Sequence, residues 1–299
     1  MRLRDRMPFH FIKLRKIWYT LSILVVIPGI ISLFGQGLTL GIDFTGGSLL
    51  DLRFNQPAAI EQVRGVLGQH GLEGASIQKS DETDFLVRTR ELTEDENAGL
   101  VSALNEIPGG VTVLRSERVG PVIGRELIFK ALAALGVASV LMVIYITWRF
   151  EFKQGVAAVV ALLHDAFVVL GVFSIFRLEV DSAFVAAILT IIGYSINDTI
   201  VIFDRIRENM LNKQKGESLD DLINRSLWQT MARSINTVLT VIFVLVALLV
   251  LGGSTVQTLV LALLIGVVSG AYSSICNASP LWYDLKMMER KGRPGAVKV

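Results

Sequence analysis

Long apolar runs alternate with short polar breaks over most of the chain. Six of them reach the length that crosses a bilayer core, about 18–20 residues of helix. They fall near residues 18–35, 128–148, 154–176, 183–203, 234–252 and 257–279. Between the first and second runs the pattern changes to the shorter periods of a small soluble fold. There Ser48–Phe54 reads as a strand and Ala58–His70 as a helix with Ile60, Val63, Val66 and Leu67 on one face. Ala75–Lys79 and Phe85–Arg90 read as strands. Thr93 opens a second helix through the box Thr93-x-x-Glu96, and Val111–Arg115 is a last strand. The order β-α-β-β-α-β is the split βαβ, or ferredoxin-like, arrangement. The expected fold is a multi-spanning α-helical membrane protein: six transmembrane helices and one small α+β domain.

The domain division that follows has a basic leader (1–17), a first span (18–35) and an outer domain (36–124). Spans two to four (125–203), an amphipathic connector (204–233), spans five and six (234–279) and a tail (280–299) complete it. The apolar stretch Trp18–Phe34 is longer than a signal core and lacks a small-x-small cleavage site, so it reads as a retained anchor. Positive charge sets the orientation. Arg2, Arg4, Arg6, Lys13, Arg15 and Lys16 precede span one, Arg149 and Lys153 follow span two, and Arg205 to Arg233 follow span four. Lys286, Arg290, Lys291, Arg293 and Lys298 follow span six. Both termini and the connector are expected in the cytoplasm, and residues 36–124 outside. Within the connector, Ser218 starts a helix on which Leu219, Leu222, Ile223, Leu227, Trp228 and Met231 recur. It reads either as a helix lying on the membrane surface or as a plain connector.

Composition narrows the function. Hydrophobic residues make up 52% and charged residues 19%, against about 25% charged in soluble chains, which excludes a soluble enzyme. A formal net charge of +2 makes no case for nucleic-acid binding. Cys276 stands alone in an apolar run and forms no internal disulfide. No phosphate-binding loop, dinucleotide fingerprint, His-Glu-x-x-His or paired Cys-x-x-Cys occurs, and His10, His70 and His164 are scattered. No enzyme activity, metal or cofactor is expected.

Ionisable groups inside the spans carry the chemistry, since an Asp at a helix centre costs about 2.5–3.5 kcal/mol to insert. Asp198 lies in span four about 9 Å from the edge marked by Asp204, at 1.5 Å per residue. Tyr194, Ser195 and Asn197 are polar groups beside it. Arg233 opens span five, followed by Asn236, Thr237 and Thr240 on one face. The two stripes start on the same membrane side, so an Asp198–Arg233 approach that forms and breaks would load and release a proton. The bland alternatives are a packing Asp that is permanently protonated or paired, and an Arg that snorkels to the headgroups. His164-Asp165 in span three is either a relay or a structural polar contact. Span six places Gly266, Gly270 and Ser274 at fours, with Ser269, Ser273 and Asn277 behind, a pattern that argues close helix packing.

These motifs together resemble the SecD/SecF family of bacterial protein-export membrane proteins, within the resistance-nodulation-division superfamily. Gly41-Ile-Asp-Phe-Thr-Gly-Gly47, with Gly41, Asp43, Gly46 and Gly47, is similar to the segment that opens the family's periplasmic domain. Val119-Gly-Pro-Val-Ile-Gly124, with Gly120, Pro121 and Gly124, is similar to the stretch that closes it. His164-Asp165, Gly193–Asn209 and Gln229–Ser234, with Thr237 and Thr240, resemble the signatures of spans three, four and five. The resemblance implies a six-span half of an assembly completed by SecD, working with the SecYEG translocon and YajC on unfolded preproteins in the bacterial inner membrane. It implies use of the proton-motive force, with Asp198 as the protonatable carboxylate and Arg233 as its counterpart. The competing expectations are half of a proton-coupled small-molecule exporter and a scaffold that transports nothing.

Overall fold

The computed structural model describes residues 9–79 and 81–292. Arg2, Arg4, Arg6, Arg293 and Lys298, counted above for orientation, lie outside the described residues. The chain divides into two compact units. One holds the chain up to Thr39 and again from Ala134 onward, the other Leu40–Ala133.

Helix α1 (Arg15–Gly35) comes first, and the smaller unit then runs α2 (Ile42–Thr45), β1 (Gly47–Phe54), α3 (Ile60–Gln69), β2 (Ser76–Lys79), β3 (Asp84–Thr89), α4 (Glu94–Asn105) and β4 (Val111–Val119). The sheet order is β2-β3-β1-β4 with every pair antiparallel, as the split βαβ order requires. Register pairs Leu50 with Val87 and Leu52 with Phe85, which turns all four side chains into one core. Phe54 and Phe85 meet edge to face at 5.4 Å. Val63 and Leu67 of α3 and Leu100 and Leu104 of α4 close the core from the helix side. Each such side chain contributes about 1.5–3 kcal/mol. The Thr93–Glu96 box forms as expected. The Thr93 N–H donates to Glu96 Oε2 at 2.8 Å, and the Glu96 N–H donates to Thr93 Oγ1 at 3.3 Å.

The remaining helices are α5 (Pro121–Arg149), α6 (Phe152–Ile175), α7 (Ser182–Leu211), α8 (Leu219–Leu251), α9 (Ser254–Ser273) and α10 (Ser279–Gly292). Among the described residues six helical stretches are long and apolar enough to cross a membrane. In the larger unit α1 packs on α6, α7, α8 and α9 pack on one another, and α6 touches both α7 and α9. Gly29 and Gly171 make the α1–α6 crossing possible, because a Cβ on Gly171 would stand 2.7 Å from the Gly29 Cα.

Two boundaries differ from the sequence expectation. The connector is not a separate surface helix. Its residues 204–211 are the end of α7, and from Leu219 it is the start of α8, which runs unbroken to Leu251 because no Gly or Pro interrupts it. Its apolar face is covered by protein. Phe11 and Ile12 of the leader are buried, the Phe11 N–H donates to Asn224 Oδ1 at 2.8 Å, and Trp228 meets Phe9 edge-on at 5.4 Å and Phe11 at a tilt at 5.5 Å. The sixth span likewise does not end at residue 279. Pro280 lacks the N–H that an α-helix would need, and a π-helical turn over Ser274–Ala278 carries the helix past it into α10. There Trp282 is fully buried and Asp284 pairs with Arg15 at 2.9 Å.

Two outcomes follow from this packing. Gly171→Val should lower the thermal unfolding midpoint of the purified chain through about 1–3 kcal/mol of overpacking; an unchanged midpoint would refute the crossing. In the smaller unit, the hydrogen bonds from Arg90 and then from Thr93 hold the Glu96 carboxyl down at about 2, against its ordinary 4.5. A depressed carboxylate contributes stability that is complete above about pH 4.5 and is lost as pH falls toward 2. The protection factors of the α4 amides, corrected for intrinsic exchange, should therefore fall through that window in the native chain and lose this pH dependence in Glu96→Gln. An identical pH profile in the variant would count against the cap.

Candidate functional site

Asp165 of α6 is 1% exposed, and side chains from three helices meet at its carboxylate. Ser195 of α7 donates to Oδ2 at 2.7 Å, Ser269 of α9 donates to Oδ1 at 2.6 Å, and Ser273 of α9 donates to Oδ2 at 2.7 Å. His164 Nδ1 lies 3.1 Å from Oδ1 and donates to it in the Nδ1–H tautomer. Four donors then fill the four acceptor positions of an ionised carboxylate. His164 Nε2 is buried without a partner among the described residues. The small residues of α9 set the geometry, since a Cβ on Gly270 would press to 3.0 Å from Ser195 Cβ. One turn on, Thr199 and Ser274 share a hydrogen bond at 2.8 Å, which continues the α7–α9 seam.

Asp198 lies three residues after Ser195 and faces α8. Ser234 donates to its Oδ1 at 2.6 Å. Its Oδ2 is buried and has no hydrogen-bond partner among the described residues. Arg233, the expected partner, is exposed and forms no ion pair with Asp198. The residue after it takes that place, because the turn of α8 that meets α7 presents Ser234. The expected polar face of α8 also divides. Asn236, Thr237 and Thr240 are exposed, and Thr237 and Thr240 return their hydroxyls to backbone carbonyls of their own helix. Asn197 is exposed as well. The Tyr194 hydroxyl is buried beside Thr237 without a bond of good geometry among the described residues.

Beyond these residues the α7–α8 hairpin is tied by a polar network. Arg225 donates to both Glu217 oxygens at 2.8 and 3.0 Å and to Asn209 Oδ1 at 3.0 Å. Asn209 donates to Ser226 Oγ and Gln229 Oε1. The smaller unit accounts for the glycine motif. Gly41 caps α2, and Gly46 and Gly47 have φ of 76° and 132°, a region that only glycine enters cheaply. A Cβ on Gly124 would stand 2.8 Å from the Phe44 carbonyl oxygen, whereas Gly120 is open. Asp43 lies in the first turn of α2, and Pro121 is the first residue of α5. Of the metal-ligating residue types, His10, Asp220 and Asp221 converge, and the His10–Asp221 contact at 3.3 Å accounts for it.

Ser234, Ser269 and Ser273 are the functional contacts that spacing did not single out. The pair Ser269/Ser273 flanking Gly270 was visible, but as a packing pattern. A polar i, i+4 pair on the same apolar helix as a glycine stripe is the signal that points to a buried carboxylate opposite.

Comparison with known proteins follows the same lines. The model for the C-terminal region of SecD/SecF protein export membrane proteins matches residues 101–288, and that for the SecD/SecF GG motif matches residues 31–58. The chain is 44% identical over 281 residues to the protein translocase subunit SecF of Acidaminococcus fermentans, covering 92% of this chain and 96% of that one. It is 41% identical over 288 residues to the protein translocase subunit SecDF of Bacillus subtilis, covering 95% of this chain but 39% of that one. The crystal structure of SecDF, a translocon-associated membrane protein from Thermus thermophilus, superposes with a TM-score of 0.87 at 36% identity. The match takes in 96% of this chain and 40% of the SecDF chain. The chain belongs to the SecD/SecF family of multi-pass protein-export membrane proteins, as a translocase subunit of the SecF type.

Proposed function

We propose that this translocase subunit couples preprotein export to the proton-motive force through Asp198. The carrying observation is the difference between the two buried carboxylates. Asp165 accepts from Ser195, Ser269 and Ser273 and lies beside His164, so both its oxygens are engaged in holding helices together. Asp198 has one oxygen hydrogen-bonded and the other buried and bare among the described residues, so it can take a proton without breaking a bond. Intramembrane ionisable residues are proton-relay candidates by default. Arg233 is adjacent to Ser234 on α8, so turning that helix by about 100°, the angle of one residue, would exchange a hydroxyl for a guanidinium at Asp198. Making and breaking that pair would load and discharge the site.

The fused SecDF relatives support assembly with a SecD chain, which would supply the other half of the membrane unit. SecYEG, YajC and the emerging preprotein are the further partners of this reading. Both termini lie in the cytoplasm on this reading, and residues 36–124 in the periplasm of an inner-membrane protein. The basic residues Arg149, Lys153, Arg205, Arg207 and Arg225 at one end of the spans support that orientation.

Asp198→Asn should abolish the proton-gradient-dependent part of preprotein export in inverted vesicles while the complex with SecD still assembles. Arg233→Ala should do the same, and Arg233→Lys should keep part of it. Undiminished export by Asp198→Asn removes the assignment. A small-molecule exporter would instead show drug sensitivity with secretion intact, and a scaffold would tolerate every charge change. Asp165→Asn separates the two carboxylates. It should lower the unfolding midpoint of the purified chain by several degrees, on the scale of about 1–3 kcal/mol per disturbed buried hydrogen bond, and leave the response to the gradient intact. An unchanged midpoint together with a lost gradient response would place Asp165 on the proton route.

A further inference from the structure

Basic side chains at the α5–α6 turn form a feature that proton coupling leaves unused. A cavity of about 370 Å³ opens there, lined by Arg149, Phe150, Glu151, Gln154, Arg207 and Met210. It lies between the turn joining α5 to α6 and the last turns of α7. Arg149 pairs with Asp204 at 3.2 Å, and Glu151, the one carboxylate in the lining, is neutralised by Lys286 at 2.5 Å. Lys153 pairs with Glu289. Four cations thus face three carboxylates around the cavity, and the surplus charge is that of Arg207, which is exposed and has no ion pair among the described residues. Two guanidiniums across a cavity of this size match the oxygens of a phosphate group.

The surroundings choose between a dissolved phosphate and a lipid. Trp148 and Phe152, on either side of the turn, are 84% and 69% exposed, and Leu211 at the end of α7 is 83% exposed. Aromatic side chains at the end of a span sit at headgroup level, and the apolar surface beside them suits acyl chains. A free anion would have no use for that wall. We infer that the cavity holds the phosphodiester headgroup of an anionic phospholipid, gripped by Arg207 and Arg149, with its acyl chains running down the exposed face of α5 and α6. This would fix the α5–α6 turn against α7 at the basic end of the bundle, the end where α7 and α8 are also tied.

The experiment uses the full chain with its SecD partner in nanodiscs of mixed phosphatidylglycerol and phosphatidylcholine. Native mass spectrometry after detergent transfer then counts the retained lipids. The wild type should keep phosphatidylglycerol over phosphatidylcholine. Arg207→Gln should reduce that preference about fivefold, the scale of one basic residue at an anionic surface. Arg207→Lys should keep most of it. Arg64→Gln, at an exposed position in the smaller unit, should match the wild type and shows that any loss is local. Unaltered monodispersity and unfolding midpoint in Arg207→Gln separate lost binding from lost fold. The inference is overturned if Arg207→Gln retains phosphatidylglycerol as the wild type does, or if phosphatidylcholine is kept equally well. It is also overturned if millimolar inorganic phosphate displaces the lipid, which would make the site one for a soluble anion.

Discussion

Burying Asp165 among α6, α7 and α9 is the constraint on which the larger unit depends. Between membrane helices there is little hydrophobic drive to associate, because lipid tails are as apolar as the side chains they would exchange with. A carboxylate in that setting is costly unless its acceptor positions are met. Meeting them requires Ser195, Ser269 and Ser273 to arrive together at 2.6–2.7 Å. That is possible only where Gly270 lets α9 come close to α7. One charge therefore selects one register for three helices, and slipping any of them would strand a donor or an oxygen.

Fixing α7 in this way also fixes Asp198, one turn along the same helix on the side toward α8. The α7–α8 contact is of a different kind. A single hydroxyl, that of Ser234, reaches Asp198, while Leu227, Thr230 and Val238 in the neighbouring turns of that α8 face are buried. The firm ties between these helices lie farther along, at Arg225, Glu217 and Asn209. The hairpin is thus tied by polar contacts at one end and packed by apolar side chains such as Val238 along the rest, with one hydroxyl at the carboxylate.

The sequence was most informative where one residue type has one dominant use. Apolar runs of bilayer length became the six spans, the Thr93–Glu96 box became a cap, and the apolar stretch Ser48–Phe54 became an inner strand of the sheet. Intramembrane charges at Asp165 and Asp198 stood out for the same reason. Reading failed where one residue type serves two ends. Serines on an apolar helix both permit close packing and donate hydrogen bonds, so Ser269 and Ser273 passed as packing. Spacing along α8 placed Arg233 and its polar neighbours on one face but could not say which of them meets α7. That depends on the rotation of two helices about their axes, where one residue is about 100°. The leader's docking on α8 was illegible for a similar reason, since it joins Phe11 to Asn224 across 213 positions.

Two carboxylates in one membrane bundle would be extravagant if both only held helices together, and unstable if both were free to change charge. Their hydrogen bonding divides the tasks. Asp165 accepts from Ser195, Ser269 and Ser273 and holds three helices in register. Asp198 accepts one hydroxyl and keeps a buried oxygen without a partner among the described residues, which fits the proposed role of a group kept ready for another partner. On the proposed reading the pinned site makes the open one usable. A proton taken up at Asp198 would change the contact with α8 rather than be absorbed by slippage of α7, because α7 cannot slip without disturbing Asp165. Mechanical use of that proton would then start as a movement of α8 against a frame that Asp165 holds still.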